Sequence, residues 1–214
     1  MPVRVITDSV ADLPRRIAED LGIHVIPLRV RFGETEYRDG IDLSMREFYS
    51  LLETSPDFPV TTFPPATDYA HAYQDAASEG YDALVVSISE KLSGTYNAAV
   101  SAKAEITGDM QITVIDSRCA AMMQGFVAMK AAKAANQSAT LEEAAEAALA
   151  ARERVHMLST FRTLEYLYRG GRIGKAKALL GSTLKIHPFI GLKDGLVRPV
   201  GAATSRARAI ERLI

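Results

Sequence analysis

The sequence predicts an α/β protein: an N-terminal domain with an open parallel sheet over residues 1–155, followed by an α+β domain that begins at 156. Two observations carry this. Three runs, VRVIT (3–7), ALVVSIS (83–89) and ITVIDS (112–117), are apolar and β-branched almost throughout, the pattern of strands covered on both faces. Each run ends in polar residues, Thr7-Asp8-Ser9, Ser87-Ile88-Ser89 and Asp116-Ser117, and a helical pattern follows each. In open α/β sheets, ligands gather beyond the carboxyl ends of the strands, so these endings mark an expected binding edge.

The elements between them follow in order. Pro14 suits a first helical turn and Gly22 a helix end, predicting a helix over 14–21. HVIPLRVRF (24–32) alternates like one strand with a wet face and leads into a turn-rich GETEYRDG (33–40). Ser44 is placed to cap MREFYSLLE, and PATDYAHAYQDAASEG (65–80) predicts a helix closed by Gly80. The Ala-rich stretch from Ala120 to Arg154 reads as two helices parted near Asn136-Gln137-Ser138. Beyond residue 155, HMLSTF (156–161) reads as a strand, TLEYLYR (163–169) as a short helix ended by Gly170-Gly171, and KAKALLGSTL as another helix. Two apolar runs around Asp194-Gly195 signal a hairpin, because a tight primed turn requires positive φ. ARAIERLI (207–214) has helical spacing and no terminating Gly or Asn, so the second domain is expected to be incomplete and to continue past Ile214.

Composition narrows the function classes. With 214 residues, 25 Lys+Arg against 26 Asp+Glu and a net charge of -1, the chain offers no general attraction for nucleic acid or anionic membrane. One cysteine, Cys119, excludes an internal disulfide, and the first residues lack a signal-peptide core, which together point to the cytoplasm. No apolar run is long enough for a membrane span, so stable membrane insertion is not expected. His24, His71, His156 and His187 have no metal-ligand spacing. Neither GxxxxGK[ST], GxGxxG after the first strand, nor GxSxG occurs, which disfavours nucleotides and a hydrolase elbow.

What remains is a set of hydroxyls. Ser93 is placed as an N-cap, and the N–H groups of Gly94, Thr95 and Tyr96 belong to a first turn that can bind an anion. Gly94, with no Cβ, would let a ligand approach the backbone. Thr61 and Thr62 precede a Pro-rich helix start that holds them extended. Neutral hydroxyls of this kind suit a carboxylate. Simple capping and turn chemistry account for the same residues, and Ser is a preferred cap at any helix. RGGRIGKAK (169–177) gathers four cations around three glycines, and Arg172 is either a solvated turn residue or the clamp of an anion. Cys119 reads as a small buried residue or a low-pKa thiol. Asp8 and Asp116 read as helix caps or as the acid and base of an enzyme acting on a small phosphorylated or carboxylated metabolite. Met122, Met123, Phe126 and Met129 read as core, or as the lining of an apolar tube.

Taken together, VITDSVADLP, VIPLRV, EYRDGIDLSMREFYSLLE, VTTFPPATDY, ISEKLSGTYNAA, VIDSR, LEYLYRGGRIGKAKALLG, IHPFIGLKDGLVRP and TSRARAIERL resemble, in the same order and over essentially the whole chain, the DegV family of bacterial fatty-acid-binding proteins. The resemblance implies a two-domain fold with a long-chain fatty acid such as palmitate in the cleft between the domains, its acyl chain in an apolar tunnel and its carboxylate on hydroxyls. It implies a carrier with no catalytic residue and no cofactor, the binding subunit of a fatty-acid kinase that makes acyl phosphate for phospholipid synthesis. The family's Ser-Gly-[Ser/Thr] matches Ser93-Gly94-Thr95, its Gly-Gly-Arg matches Gly170-Gly171-Arg172, and its threonine before Ser-Gln-Pro corresponds to Thr61. Thr62-Phe63-Pro64 replaces that tripeptide, with Phe63 in place of the glutamine. Arg206 and Arg208, at the start of a helix, are the expected kinase-docking residues. Family members continue for several tens of residues more, into a segment with a histidine near the carboxylate.

Overall fold

The computed structural model describes residues 1–180 and 187–213. It divides into two compact units, Met1–Val155 and His156–Ile214.

In the first unit the elements are β1 (Val3–Asp8), a 3₁₀ turn (Ser9–Ala11), α1 (Arg15–Leu21), β2 (His24–Ile26), β3 (Arg29–Phe32), β4 (Thr35–Arg38), α2 (Met45–Thr54) and β5 (Val60–Thr62). They continue with α3 (Ala66–Ser78), β6 (Asp82–Ser87), α4 (Thr95–Lys103), β7 (Ile112–Asp116), α5 (Met122–Ala135) and α6 (Leu141–Arg152). The main sheet is wholly parallel, in the order β2-β1-β6-β7. Every residue of β6 is buried, because helices cover both faces. Strand alternation sorts the core. Val3, Val5, Leu84 and Val86 pack towards α5 and α6, whereas Ile6, Ala83 and Val85 pack towards Tyr69 and Tyr73 of α3 and the alanines of α4.

The expected single strand over 24–32 is two strands in different sheets. β2 closes the parallel sheet with Ile26 opposite Asp8. Pro27 then removes a ladder donor, and the Leu28 N–H donates to Ser9 Oγ at 3.1 Å instead of extending the pairing. β3 enters a small antiparallel sheet of order β4-β3-β5, so the turn-rich stretch after it contains a strand. Its buried face, Val30 and Phe32, packs on Leu43 and on Phe48 and Leu51 of α2. Ser44 and Glu47 form a complete capping box at the start of that helix.

The second unit holds β8 (Ser159–Thr160), α7 (Glu165–Arg169), a 3₁₀ helix (Gly174–Leu179), β9 (His187–Lys193), β10 (Leu196–Ala203) and α8 (Arg206–Glu211). Its antiparallel sheet has the order β10-β9-β8. The strand expected over 156–161 is only two residues long. Asp194 and Gly195 have φ of 53° and 76°, the primed turn that joins β9 to β10. The helix expected from KAKALLGSTL is 3₁₀ as far as Leu179, and its last residues, 181–184, lie outside the described residues. Gly174 has no alternative there: its φ is +52°, and a Cβ would sit 2.5 Å from the Val197 carbonyl oxygen. Phe189, Ala203 and Ala209 form one buried cluster of this unit.

Candidate functional site

The carboxyl edge of the parallel sheet is polar beneath its surface. Thr7, Asp8, Ser87, Ser89, Thr95, Ser117 and Gln124 are all buried there or beside it. Buried polar atoms need partners, and Thr7, Asp8 and Gln124 find them in one another and in the backbone. Thr7 Oγ1 donates to the Val86 carbonyl at 2.7 Å across the β1–β6 pair. The Gln124 amide, from the first turn of α5, donates to Thr7 Oγ1 and Asp8 Oδ2, each at 3.0 Å. Asp8 Oδ2 also accepts the Ile88 N–H at 2.9 Å, and Oδ1 accepts the Val10 N–H at 3.2 Å. Burial pushes the Asp8 carboxyl up to about 6, although the Ile88 N–H, the Gln124 amide, the Val10 N–H and the Ser87 hydroxyl oppose the shift.

The loop after β6 is folded by its own backbone. The Ser89 N–H donates to the Cys119 carbonyl at 2.9 Å, and the Ser89 carbonyl accepts the Leu92 and Ser93 N–H groups at 2.9 and 3.2 Å. This delivers Ser93-Gly94-Thr95 to the start of α4. Gly94, not Ser93, occupies the N-cap position. Ser93 stands one residue outside and accepts the Thr95 N–H at 3.4 Å, a turn closed by a hydroxyl. Its Oγ is 2.7 Å from Thr95 Oγ1. Thr95 is fully buried and Ser93 half-buried, so of the two residues only Ser93 reaches the surface.

Gly94 has φ -73° and ψ 1°, which any residue adopts. What crowds a side chain there is Phe63, because a Cβ on Gly94 would lie 2.7, 2.8 and 3.2 Å from three carbons of its ring. Phe63 itself is half exposed. Thr61 and Thr62, both exposed, are consecutive on β5 and point to opposite faces. Thr61 stands opposite Val30, on the face that packs against α2, and Thr62 stands opposite Arg29. Arg29 is itself held by Asp68 at 2.6 Å. A single head group can therefore use only one of the two threonines.

The other expected residues lie as follows. Arg172 is exposed just after α7, with its guanidinium donating to the Gly170 carbonyl at 2.6 Å. Arg206 and Arg208 are exposed on the first turn of α8, where Ser205 caps by accepting the Arg208 N–H. Asp116 Oδ1 accepts the N–H groups of Glu90 and Arg118 at 3.2 and 2.8 Å, so both strand-end aspartates serve as backbone acceptors. Cys119 is buried and its thiol is pushed up to about 11 by desolvation, which removes the low-pKa reading. Phe126, expected in the core, is 54% exposed; Met123 and Met129 of the same helix do pack on the core. Gln124 escaped sequence reasoning. Its signal was a lone amide inside the apolar run MMQGFVAM, and such a residue, if buried, must answer a polar partner. Among the described residues, no three His, Cys, Asp or Glu side chains gather as metal ligands, and no helix is long and apolar enough to cross a membrane.

Residues 2–214 match the family described as "Uncharacterised protein, DegV family". A DegV domain-containing protein of Streptomyces coelicolor is 37% identical over 213 residues, covering 99% of this chain and 74% of its own. A solved Thermus thermophilus structure, described as fatty acid binding of a DegV family protein, superposes with a TM-score of 0.89 at 35% identity, covering 99% of this chain and 75% of that one. A stearic acid-binding protein from Eubacterium ventriosum superposes with a TM-score of 0.87 at 28% identity, covering 98% and 73%.

Proposed function

The chain belongs to the DegV family, and from that premise we propose that it is a carrier for a long-chain fatty acid in the cytosol. The observation that carries the reading is the Ser93–Thr95 hydroxyl pair at the amino end of α4, 2.7 Å apart with only Ser93 reaching the surface. A carboxylate needs two or three donors there, and the first-turn N–H groups, the Ser93 hydroxyl and either Thr61 or Thr62 are of the right kind. The helix dipole favours a single negative charge at that end. Arg172 is the proposed cationic partner of the head group. Burying the acyl chain in an apolar tunnel contributes about 0.8 kcal/mol per CH₂, roughly 11 kcal/mol gross for a C16 chain before association costs. The tail therefore supplies most of the affinity, and the head group sets orientation and selection.

The carrier presents its acid to a separate fatty-acid kinase, which forms the acyl phosphate, and Arg206 and Arg208 are the proposed docking residues. The competing enzyme reading has both its candidate bases engaged, since Asp8 is fully buried and Asp116 accepts two backbone N–H groups. Mass spectrometry of organic extracts from the purified protein tests the proposal. A stoichiometric long-chain acid is the expected result, and a protein that neither carries nor takes up palmitate would end it.

A further inference from the structure

Asp8 is fully buried, and ligand binding as described does not use it. Its obvious duty is local, as the cap of the 3₁₀ turn through the Val10 N–H at 3.2 Å. Its shorter contact reaches 80 residues along the chain, to the Ile88 N–H at 2.9 Å. Ile88 is followed directly by Ser89, whose carbonyl receives the Leu92 and Ser93 N–H groups. The carboxylate thus grips the root of the loop whose tip is Ser93-Gly94-Thr95. Gln124 fixes the grip from α5, because one amide nitrogen touches Asp8 Oδ2, Thr7 Oγ1 and the Val86 carbonyl together. The three N–H donors to Asp8 converge from the residue after β6, from α5 and from the 3₁₀ turn, and only a carboxylate accepts all three.

We propose that Asp8, oriented by Gln124, is a positioning residue for head-group binding: it anchors Ile88 and thereby sets the Ser89–Thr95 turn before the ligand arrives. Its charge is retained against a strong desolvation cost, since burial pushes this carboxyl up to about 6. Charged hydrogen bonds in such surroundings are the strong ones, which suits an anchor better than a turn cap. Tyr69 of α3 is the titratable side chain whose electrostatics are coupled to Asp8, and burial keeps its phenol protonated. The consequence for the ligand rests on the fatty-acid reading above; the consequence for the loop does not.

Two measurements on the full chain separate these. Hydrogen exchange of the ligand-free protein is compared between the parent and Asp8→Ala, and release of palmitate to phosphatidylcholine vesicles is timed for both. The expected result is exchange at Ile88–Thr95 faster by roughly tenfold to a hundredfold, the range for losing one charged hydrogen bond, with α6 unchanged, and palmitate release about tenfold faster. Unaltered exchange over 88–95, or a uniform rise over the whole unit, overturns the proposal. So does faster loop exchange with palmitate release unchanged. If the parent retains no palmitate, the carrier reading fails, and the anchor is still judged on exchange alone. Should Asp8→Ala not yield folded protein, Gln124→Met keeps the core volume and is expected to raise exchange at Ile88 and Ser89 about threefold; no rise there would likewise overturn it.

Discussion

Replacing Gly94 by alanine separates two reasons for that glycine. One is access of a ligand to the backbone; the other is the Phe63 ring. The new Cβ would stand 2.7 Å from the nearest ring carbon, against about 3.5 to 4.0 Å for relaxed carbon contacts. The ring must therefore retreat by about 1 Å. Since Phe63 is 51% exposed, it can swing towards solvent, which places the cost near the low end of the overpacking range, about 1 kcal/mol. No backbone strain adds to this, because φ -73° is ordinary for alanine. In a Phe63→Ala background the same substitution should be neutral, or stabilising by a few tenths of a kcal/mol through reduced freedom of the unfolded chain. Urea denaturation of the parent, both single variants and the double variant gives the coupling energy, expected near 1 kcal/mol. Equal destabilisation in both backgrounds would refute the steric argument. If the double variant were fully stable yet had lost palmitate, the glycine would answer to the ligand instead.

Three further outcomes are expected. Ser93→Ala should weaken palmitate binding by about 1 to 3 kcal/mol through lost hydrogen bonds, and a variant that retains palmitate like the parent would make Ser93 a turn residue only. Asp8→Asn should change the pH dependence of stability. The folded carboxyl holds its proton up to about 6 and the unfolded one only to 3.8, so Asp8 stabilises the parent increasingly as pH falls from about 6 to 4 and loses that contribution as pH rises through 6. Relative to the parent, the variant should therefore gain up to about 3 kcal/mol between pH 4 and pH 7, and a difference that stays flat across urea titrations at those pH values would contradict it. Reversing both charges with Arg206→Glu and Arg208→Glu should lower acyl-phosphate formation in a reconstituted kinase assay without altering bound lipid, and unchanged turnover would remove these residues from the docking surface.

Much of the fold was legible because its signals are local. Three runs of β-branched residues read as the strands of a parallel sheet, and their polar endings line its carboxyl edge. Ser44 and Glu47 lie three residues apart and form their capping box within one turn. Asp194-Gly195 dictates its own turn. The family resemblance, too, rests on short stretches, SGTYNAA and LEYLYRGGRI among them, and a match to the family over residues 2–214 agrees with it.

The features settled elsewhere depend on residues far apart in the chain. Sequence alternation made 24–32 one strand, but a proline and a hydrogen bond from Leu28 to Ser9 divided it between two sheets. Phe126, read as core or as tube lining, is not core, because its helix turns Gln124 and Val127 inward instead. Gln124 meets Asp8 across 116 residues, and Phe63 meets Gly94 across a strand and a helix, so neither pairing leaves a periodic trace. The sequence by itself determined the layers, the polar edge and the hydroxyls, since propensity and periodicity act within a few residues. Tertiary structure alone decided which groups at that edge are anchored, screened or exposed, because burial and donor geometry exist only once distant segments have packed.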